Sequence, residues 1–206
     1  MQILNLKSKQ CKKRSFTPQE SKVQFRKNYL KQKFTQSEPN KYWVGDVTMI
    51  RVGLNKFYLC VILDLFSRKV IGYRVSSQNN TPLIIQTFKD AYESRNRSKG
   101  LCFHSDQGAS YTSEEYRGLL HSLKVKQSYS SKGNPYDNAV IESFFSNFKR
   151  EEINSHNFEY FEELEECTDS YMKFYNDYRP HESLKNKTPN QVEDDYKLGV
   201  LSVLSE

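Results

Sequence analysis

Cysteine is scarce in this sequence. The four present, Cys11, Cys60, Cys102 and Cys167, stand far apart with no CxxC pair, so neither a disulfide framework nor a zinc knuckle is signalled and buried free thiols are expected. His121, His156 and His181 are scattered, and no HxxxH or His/Cys pairing appears that would build a zinc site. Long apolar runs are missing too. The longest, Phe57 to Phe66, is broken by Asp64 and falls far short of the roughly 20 residues a spanning helix needs. The start, MQILNLKSKQCKKRSF, puts a short apolar stretch before its lysines, the reverse of a secretory signal. The expected compartment is the cytoplasm, with no membrane partner. Internal repeats and low-complexity segments are also absent.

What is present is one domain's worth of chain with an uneven charge. The 206 residues are 36% hydrophobic and 14% aromatic, enough for one packed core with a short appendage. Residues 1–40 hold ten basic and two acidic side chains, residues 41–150 hold 16 and nine, and residues 151–206 hold five and 14. The net charges are therefore +8, +7 and −9, within a total of +6. A basic arm and basic middle favour a polyanionic partner, nucleic acid before an anionic membrane. The acidic tail should face away from that partner or meet a basic one.

Residues 1–40 lack sustained alternation and read as a basic arm or linker, with one short helix in VQFRKNYLKQKF. Residues 41–206 read as the folded core with a helical extension. YWVGDVTMIRV, KFYLCVILD and RKVIGYRVSS are β-rich and closely spaced, which predicts an antiparallel meander. TPLIIQTFKDAYESRNR predicts a helix capped by Thr81 with Pro82 at its first position. A strand in LCFHSD, a helix capped by Ser113 and a strand in KVKQSYS follow, and such alternation requires parallel pairing. A helix from near Asp137 should bury Ile141, Phe144, Phe145 and Phe148 and turn Asn138, Glu142, Ser146 and Lys149 outward. EYFEELEECTDSYMKFYNDY predicts another helix. The fold class is α/β: a mixed five-stranded sheet plus C-terminal helices.

Three acids sit where strands and helices present groups to solvent: Asp46 in the first strand, Asp106 directly after the fourth, and Glu142 early in the helix after the fifth. Alone, each serves a turn or cap as readily as chemistry. Asp46 is the least ordinary, because an Asp inside an apolar strand needs pairing, hydrogen bonds or a metal. With the first strand central and the fourth beside it, the three carboxylates would converge. Such a cluster repels itself unless divalent cations neutralise it, and oxygen ligands favour Mg²⁺ or Mn²⁺. Two such ions about 3.5–4 Å apart suit phosphodiester chemistry.

YWVGDVT, FHSDQGASY and NPYDNAVIESFFSNFKRE resemble the three signature segments of retroviral-integrase-like DDE transposases of bacterial insertion sequences, the second-open-reading-frame type. Asp106 and Glu142 are separated by 35 residues, Lys149 follows seven after Glu142, and YNDYRPHESLKNKTP resembles the family's tail segment. The similarity runs from about Asn40 to about Val192. The resemblance implies a ribonuclease-H-like fold, Asp46, Asp106 and Glu142 as catalytic metal ligands, and two bound ions. It implies cleavage of transposon-end DNA to free a 3′-hydroxyl and joining of that hydroxyl to target DNA, by a homo-oligomer assembled on DNA and associated with the nucleoid when bound. No covalent protein intermediate is needed.

Several side chains could contact DNA. Lys149 lies two turns, about 10 Å, along the helix from Glu142 and could hold a phosphate; its plain alternative is a solvated lysine. Asn138 could contact DNA or orient Glu142, and helix capping competes. Lys132, Asn134 and Tyr136 occupy a Gly-Pro loop that, by the resemblance, approaches DNA. Lys12, Lys13 and Arg14 in the arm suit sequence-independent phosphate contacts. Removing residues 1–35 is expected to weaken DNA binding and leave the core folded. His104 alternates onto the face of Asp106, between a metal-site role and a structural one, and Asp64 and Ser67 are assigned to a hairpin turn. Arg179 and His181 serve tail packing or DNA.

Members of the family carry a helical DNA-binding region ahead of the core, and only 40 residues stand there in this sequence. Either the chain is a truncated transposase or a separate helix-turn-helix protein encoded upstream supplies end recognition. Two rival readings stay open: a remnant that binds DNA or regulates a full-length relative, and a stand-alone ribonuclease-H-like nuclease.

Overall fold

The computed structural model describes residues 26–131 and 133–200. The three β-rich runs form β1 (Tyr42–Val52), β2 (Asn55–Asp64) and β3 (Val70–Ser76), an antiparallel meander. β4 (Cys102–Ser105) and β5 (Lys126–Tyr129) add in parallel, giving the order β3-β2-β1-β4-β5. β1 is thus central with β4 beside it, as the chain order predicts.

The helices follow local chemistry. α1 (Thr81–Ser94) begins one residue earlier than predicted in its cap, since Asn80 rather than Thr81 accepts the amide of Leu83, at 3.1 Å. Asn80 has the extended backbone a cap needs, which leaves Thr81 and Pro82 as the first helical residues. Ser113 caps α2 (Glu114–Ser122) as expected. α3 (Ala139–Glu151) starts later than Asp137, because Pro135–Asn138 first coil into a 3-10 turn. α4 (Phe161–Asp177) follows, and α5 (Pro189–Lys197) opens with a Thr188/Gln191 capping box that the sequence reading passed over.

The two sheet faces bury alternate residues of each strand. Val44, Ile50 and Val52 pack with Phe144, Phe148 and Tyr171 of α3 and α4, while Trp43 and Phe103 pack with Phe88 of α1 and Tyr116 of α2. The α3 stripe of Ile141, Phe144, Phe145 and Phe148 is buried as its spacing predicts. Removing one such ring is expected to destabilise by about 3–5 kcal/mol. Gly45 is required by packing: a Cβ there would meet the Phe103 ring at 2.5 Å. Its absence lets β4 seat tightly against the strand that carries Asp46.

Residues 26–34 are not helical. The Tyr129 amide donates to Lys27 O at 3.0 Å, the Tyr29 amide donates to Ser128 Oγ at 2.9 Å, and Leu30 is 1% exposed in the α3 side of the core. Those long-range bonds outcompete the local helical spacing, and they make a deletion through residue 35 an attack on the core itself. Lys12, Lys13 and Arg14 lie outside the described residues, as does Lys132. Among the described residues no helix is long and apolar enough to cross a membrane.

Candidate active site

Asp46 shares the face of Val44 and Ile50, turned toward α3. β1 pairs with β4 as Tyr42 with Cys102, Trp43 with Phe103 and Val44 with His104. Continuing that offset draws Asp106, one residue past β4, level with Asp46. Glu142 stands exposed in the first turn of α3. Burial pushes the Asp46 carboxyl up to about 7, opposed by its bond from the Val47 amide at 2.7 Å and helped by the negative charges of Asp106 and Glu142.

Asp106 is fixed by an Asx turn. Its Oδ1 accepts the Gly108 amide at 2.9 Å, and a Cβ on Gly108 would lie 2.9 Å from that same oxygen. The sequence signal for this arrangement is the D-Q-G run, since Gly two places after an Asp permits the close turn. Gln107 donates to Ser130 O at 3.0 Å and accepts from Arg26 at 3.2 Å. An open cleft of about 540 Å³ runs between Asp106, Ser131, Asn134, Asn138 and Glu142. None of the three acids is in an ion pair among the described residues.

Other candidates divide. Asn134 caps the 3-10 turn through the Tyr136 amide at 3.2 Å, and the Tyr136 ring is 72% exposed beside the cleft. Asn138 lines the cleft but is 7% exposed, contrary to the outward placement its helical spacing predicts, and its side chain makes no cap bond. Its Oδ1 has no partner among the described residues. Lys149 is half-buried farther along α3. His104 takes the structural option: it is buried, with Nδ1 2.8 Å from Ser128 Oγ, and burial pushes it down to about 4. Ser128 then holds the Tyr29 amide.

Asp137 is the residue that sequence reasoning undervalued. It is buried and accepts from Asn28 at 2.8 Å, Gln32 at 2.9 Å, the Ser131 amide at 2.7 Å and Asn134 at 3.3 Å. Burial pushes its carboxyl up, but the Ser131 and Gln32 bonds outweigh that and hold it below the usual range. Asp64 and Ser67 do sit in the β2–β3 turn, where Asp64 accepts the amides of Asn40 at 2.7 Å and Phe66 at 3.0 Å. Arg179 is engaged in the tail by Glu151, at 2.7 Å.

Cys60 and Cys102 are buried free thiols, whereas Cys167 is half-buried and lies with His156 and Glu152 so that their ligand atoms are all within 4.8 Å. A His/Cys pairing therefore exists in space though not in sequence spacing. It stands at the end of α3 away from Glu142. The oxygens of Asp46, Asp106 and Glu142 do not all meet that single-ion spacing.

Comparisons with known proteins follow the same outline. Residues 36–135 match the model of the integrase core domain, and residues 123–189 match a second model of that description. The chain is 40% identical over 169 residues to the transposase for insertion sequence element IS904 of Lactococcus lactis, covering 82% of this chain and 67% of that protein. It is 36% identical over 162 residues to the putative transposase InsK for insertion sequence element IS150 of Escherichia coli, covering 79% and 57%. An uncharacterized transposase-like protein of Haemophilus influenzae is 35% identical over 190 residues, covering 92% and 87%. In fold, the chain is similar to the HTLV-2 integrase catalytic core domain in complex with magnesium, with TM-score 0.58, 22% identity and coverage of 75% and 96%. It is also similar to the simian T-cell lymphotropic virus intasome, with TM-score 0.66, 19% identity and coverage of 77% and 55%.

Proposed function

The chain belongs to the integrase core domain family of insertion-sequence transposases, and on that premise we propose that Asp46, Asp106 and Glu142 are its catalytic carboxylates. The reading is of a DDE polynucleotidyl transferase that cuts element-end DNA and joins the freed 3′-hydroxyl to target DNA. The observation that carries it is geometric: the parallel β1–β4 register draws Asp106 level with Asp46, and one open cleft runs between Asp106 and Glu142. A site that places three acids in one field without a cation to pair them is costly unless a ligand supplies the positive charge.

The donors suit hard divalent cations. Each acid offers carboxylate oxygen, and the single amide bonds to Asp46 and Asp106 leave oxygens to spare. Mg²⁺ or Mn²⁺ held by these three residues, two ions in the full site, would supply Lewis acidity and an activated oxygen.

In the first step water attacks the phosphorus at the element end, the bond to the 3′-oxygen breaks, and that oxygen leaves as a 3′-hydroxyl. In the second, this hydroxyl gives up its proton, attacks a target phosphodiester in line and displaces another 3′-oxygen. The chain's own contribution is position. The Gly108 amide aims Asp106, the β1–β4 pairing aligns it with Asp46, and Asp137 fixes the loop from which α3 and Glu142 rise. Tyr136, Asn134, Asn138 and Lys149 flank the path of the strand, and the basic arm with Lys12, Lys13 and Arg14 adds phosphate contacts. The chain spans 67% and 57% of the IS904 and IS150 relatives; end recognition would come from a region or a separate helix-turn-helix protein beyond this core. Two ends and a target call for at least two active sites, hence a homo-oligomer on DNA in the bacterial cytoplasm.

The test is cleavage and joining of labelled element-end DNA by the purified protein with Mg²⁺. Activity should vanish with chelator and in Asp46→Asn, Asp106→Asn and Glu142→Gln, while DNA binding is retained. Metal-dependent products that persist in all three variants, or binding without any products in the wild type, overturn the reading.

A further inference from the structure

The turn between β2 and β3 puts an arginine where the backbone favours glycine. Arg68 has φ +60°, in the left-handed region that Gly and Asn visit at least cost. Its neighbours cannot relax it. Ser67 donates to Glu193 at 2.9 Å, Lys69 pairs with the same carboxylate at 3.2 Å, and the Asp64 amide closes the turn on Lys69 O at 2.9 Å.

The Arg68 side chain enters a cavity of about 230 Å³ against α3, lined also by Ser143, Asn147, Tyr175, His181 and Ser183. Arg68 Nη1 is buried without a hydrogen-bond partner among the described residues, and so is His181 Nε2 in the same cavity. The nearby acids are already committed. Asp64 is taken by Arg95 and two backbone amides, and Glu151 by Arg179 and Tyr171. Burial disfavours the Arg68 charge, and Tyr175 and Asp64 oppose that. The lining therefore offers a guanidinium, an imidazole, three hydroxyls and an amide beside the apolar Ala139, Val140 and Phe144, and no acidic side chain.

We propose that this cavity receives a backbone phosphate of DNA lying across α3, resting on the DNA-transferase reading above. Arginine with Ser and Asn donors is the set that proteins use on phosphodiesters. The position fits: Ser143 directly follows Glu142, about 100° around the helix, so the cavity opens on the face of α3 next to the one bearing the acid. A strand anchored here would be positioned along the helix, and no base would be read.

The test uses the full chain and a fluorescein-labelled duplex in anisotropy titrations over a range of KCl. Arg68→Gln should weaken binding about tenfold and lower the salt slope by about one relative to wild type. Lys173→Gln on exposed α4, a charge lost outside the cavity, should leave the slope unchanged. Ser183→Asp places a carboxylate at the exposed rim of the cavity; it should raise the melting temperature by pairing with Arg68 while weakening DNA binding, a combination that a purely structural Arg68 does not produce. If Arg68→Gln does not fold, Ser183→Asp decides. An unchanged slope in the folded variants overturns the proposal. So does loss of self-association with DNA binding intact, which would assign the cavity to an acidic protein segment. Inorganic phosphate that stabilises wild type but not Arg68→Gln, with the DNA slope unchanged, would assign it to a free anion and equally overturn it. Glu142→Gln separates the two readings, since it should abolish cutting and leave the slope as in wild type.

Discussion

Two groups of acids in this molecule are handled in opposite ways. Asp64 and Glu193, at 0% and 4% exposure, are gathered around Arg95 and Lys69, with backbone amides and Ser67 completing their bonds. Glu193 is buried, which pushes its carboxyl up, yet Arg95, Lys69 and Ser67 hold it below the usual range; for Asp64 burial outweighs the Asn40 and Phe66 amides and Arg95, and its carboxyl stays raised even with its counter-charge beside it. Asp46, Asp106 and Glu142 have no ion-pair partner among the described residues, and burial pushes Asp46 up to about 7. The first group is closed by the protein's own charges and ties α5 to the β2–β3 turn. The second has no such partner among the described residues, and on the function proposed above its compensation would arrive from solution. The same residue types thus separate into mortar and socket according to whether the fold supplies the counter-charge.

The comparison breaks most visibly at Arg95. Arg95→Ala strands two buried carboxylates, and removing one partner of a buried pair costs about 3–5 kcal/mol. At about 2–4 °C per kcal/mol for a chain of this size, the melting temperature should fall by about 10 °C, as measured by thermal unfolding. A loss under about 2 °C would mean that the cluster is not the closed unit described.

Asp46→Asn should move stability the other way, by a smaller amount. The folded carboxyl titrates near 7 against about 3.9 when unfolded, so the folded state binds the proton more tightly. Stability is therefore lost as pH rises from about 4 through 7, and the penalty is complete above that range. In metal-free buffer at pH 8 the variant should melt a few degrees above wild type, and the two should coincide near pH 4. Equal melting at both pH values would remove the argument that Asp46 carries an uncompensated charge.

The smallest effect sharpens the idea of an open site. Adding Mg²⁺ at constant ionic strength should raise the melting temperature of the wild type by about 1–3 °C, as expected for a ligand that binds only the folded state. Asp46→Asn should not respond. An equal rise in both would place the ion elsewhere.

Much of this was legible from the sequence because it rests on local period and order. The alternation of Trp43 and Val44 and the α3 stripe from Ile141 to Phe148 are seen in the folded chain, and Asp106 and Glu142 line one cleft. What stayed hidden depends on partners far away in the chain. The helical spacing around Leu30 yields to Ser128 and Asp137, some 100 residues on. Asn138 turns inward beside His104 instead of capping α3, and Cys167 meets His156 only through the packing of α4 against the end of α3. A single sequence lists residues; it does not say which carboxylate will gather four donors, as Asp137 does.

Asp137 also joins two parts of the chain mechanically. Asn28 and Gln32 grip its carboxylate from the N-terminal side, and α3 with Glu142 begins two residues later. Tension on the strand of chain near residue 26 is therefore delivered to the root of that helix rather than absorbed as slack. Anything that pulls on the segment upstream pulls on the carboxylate downstream.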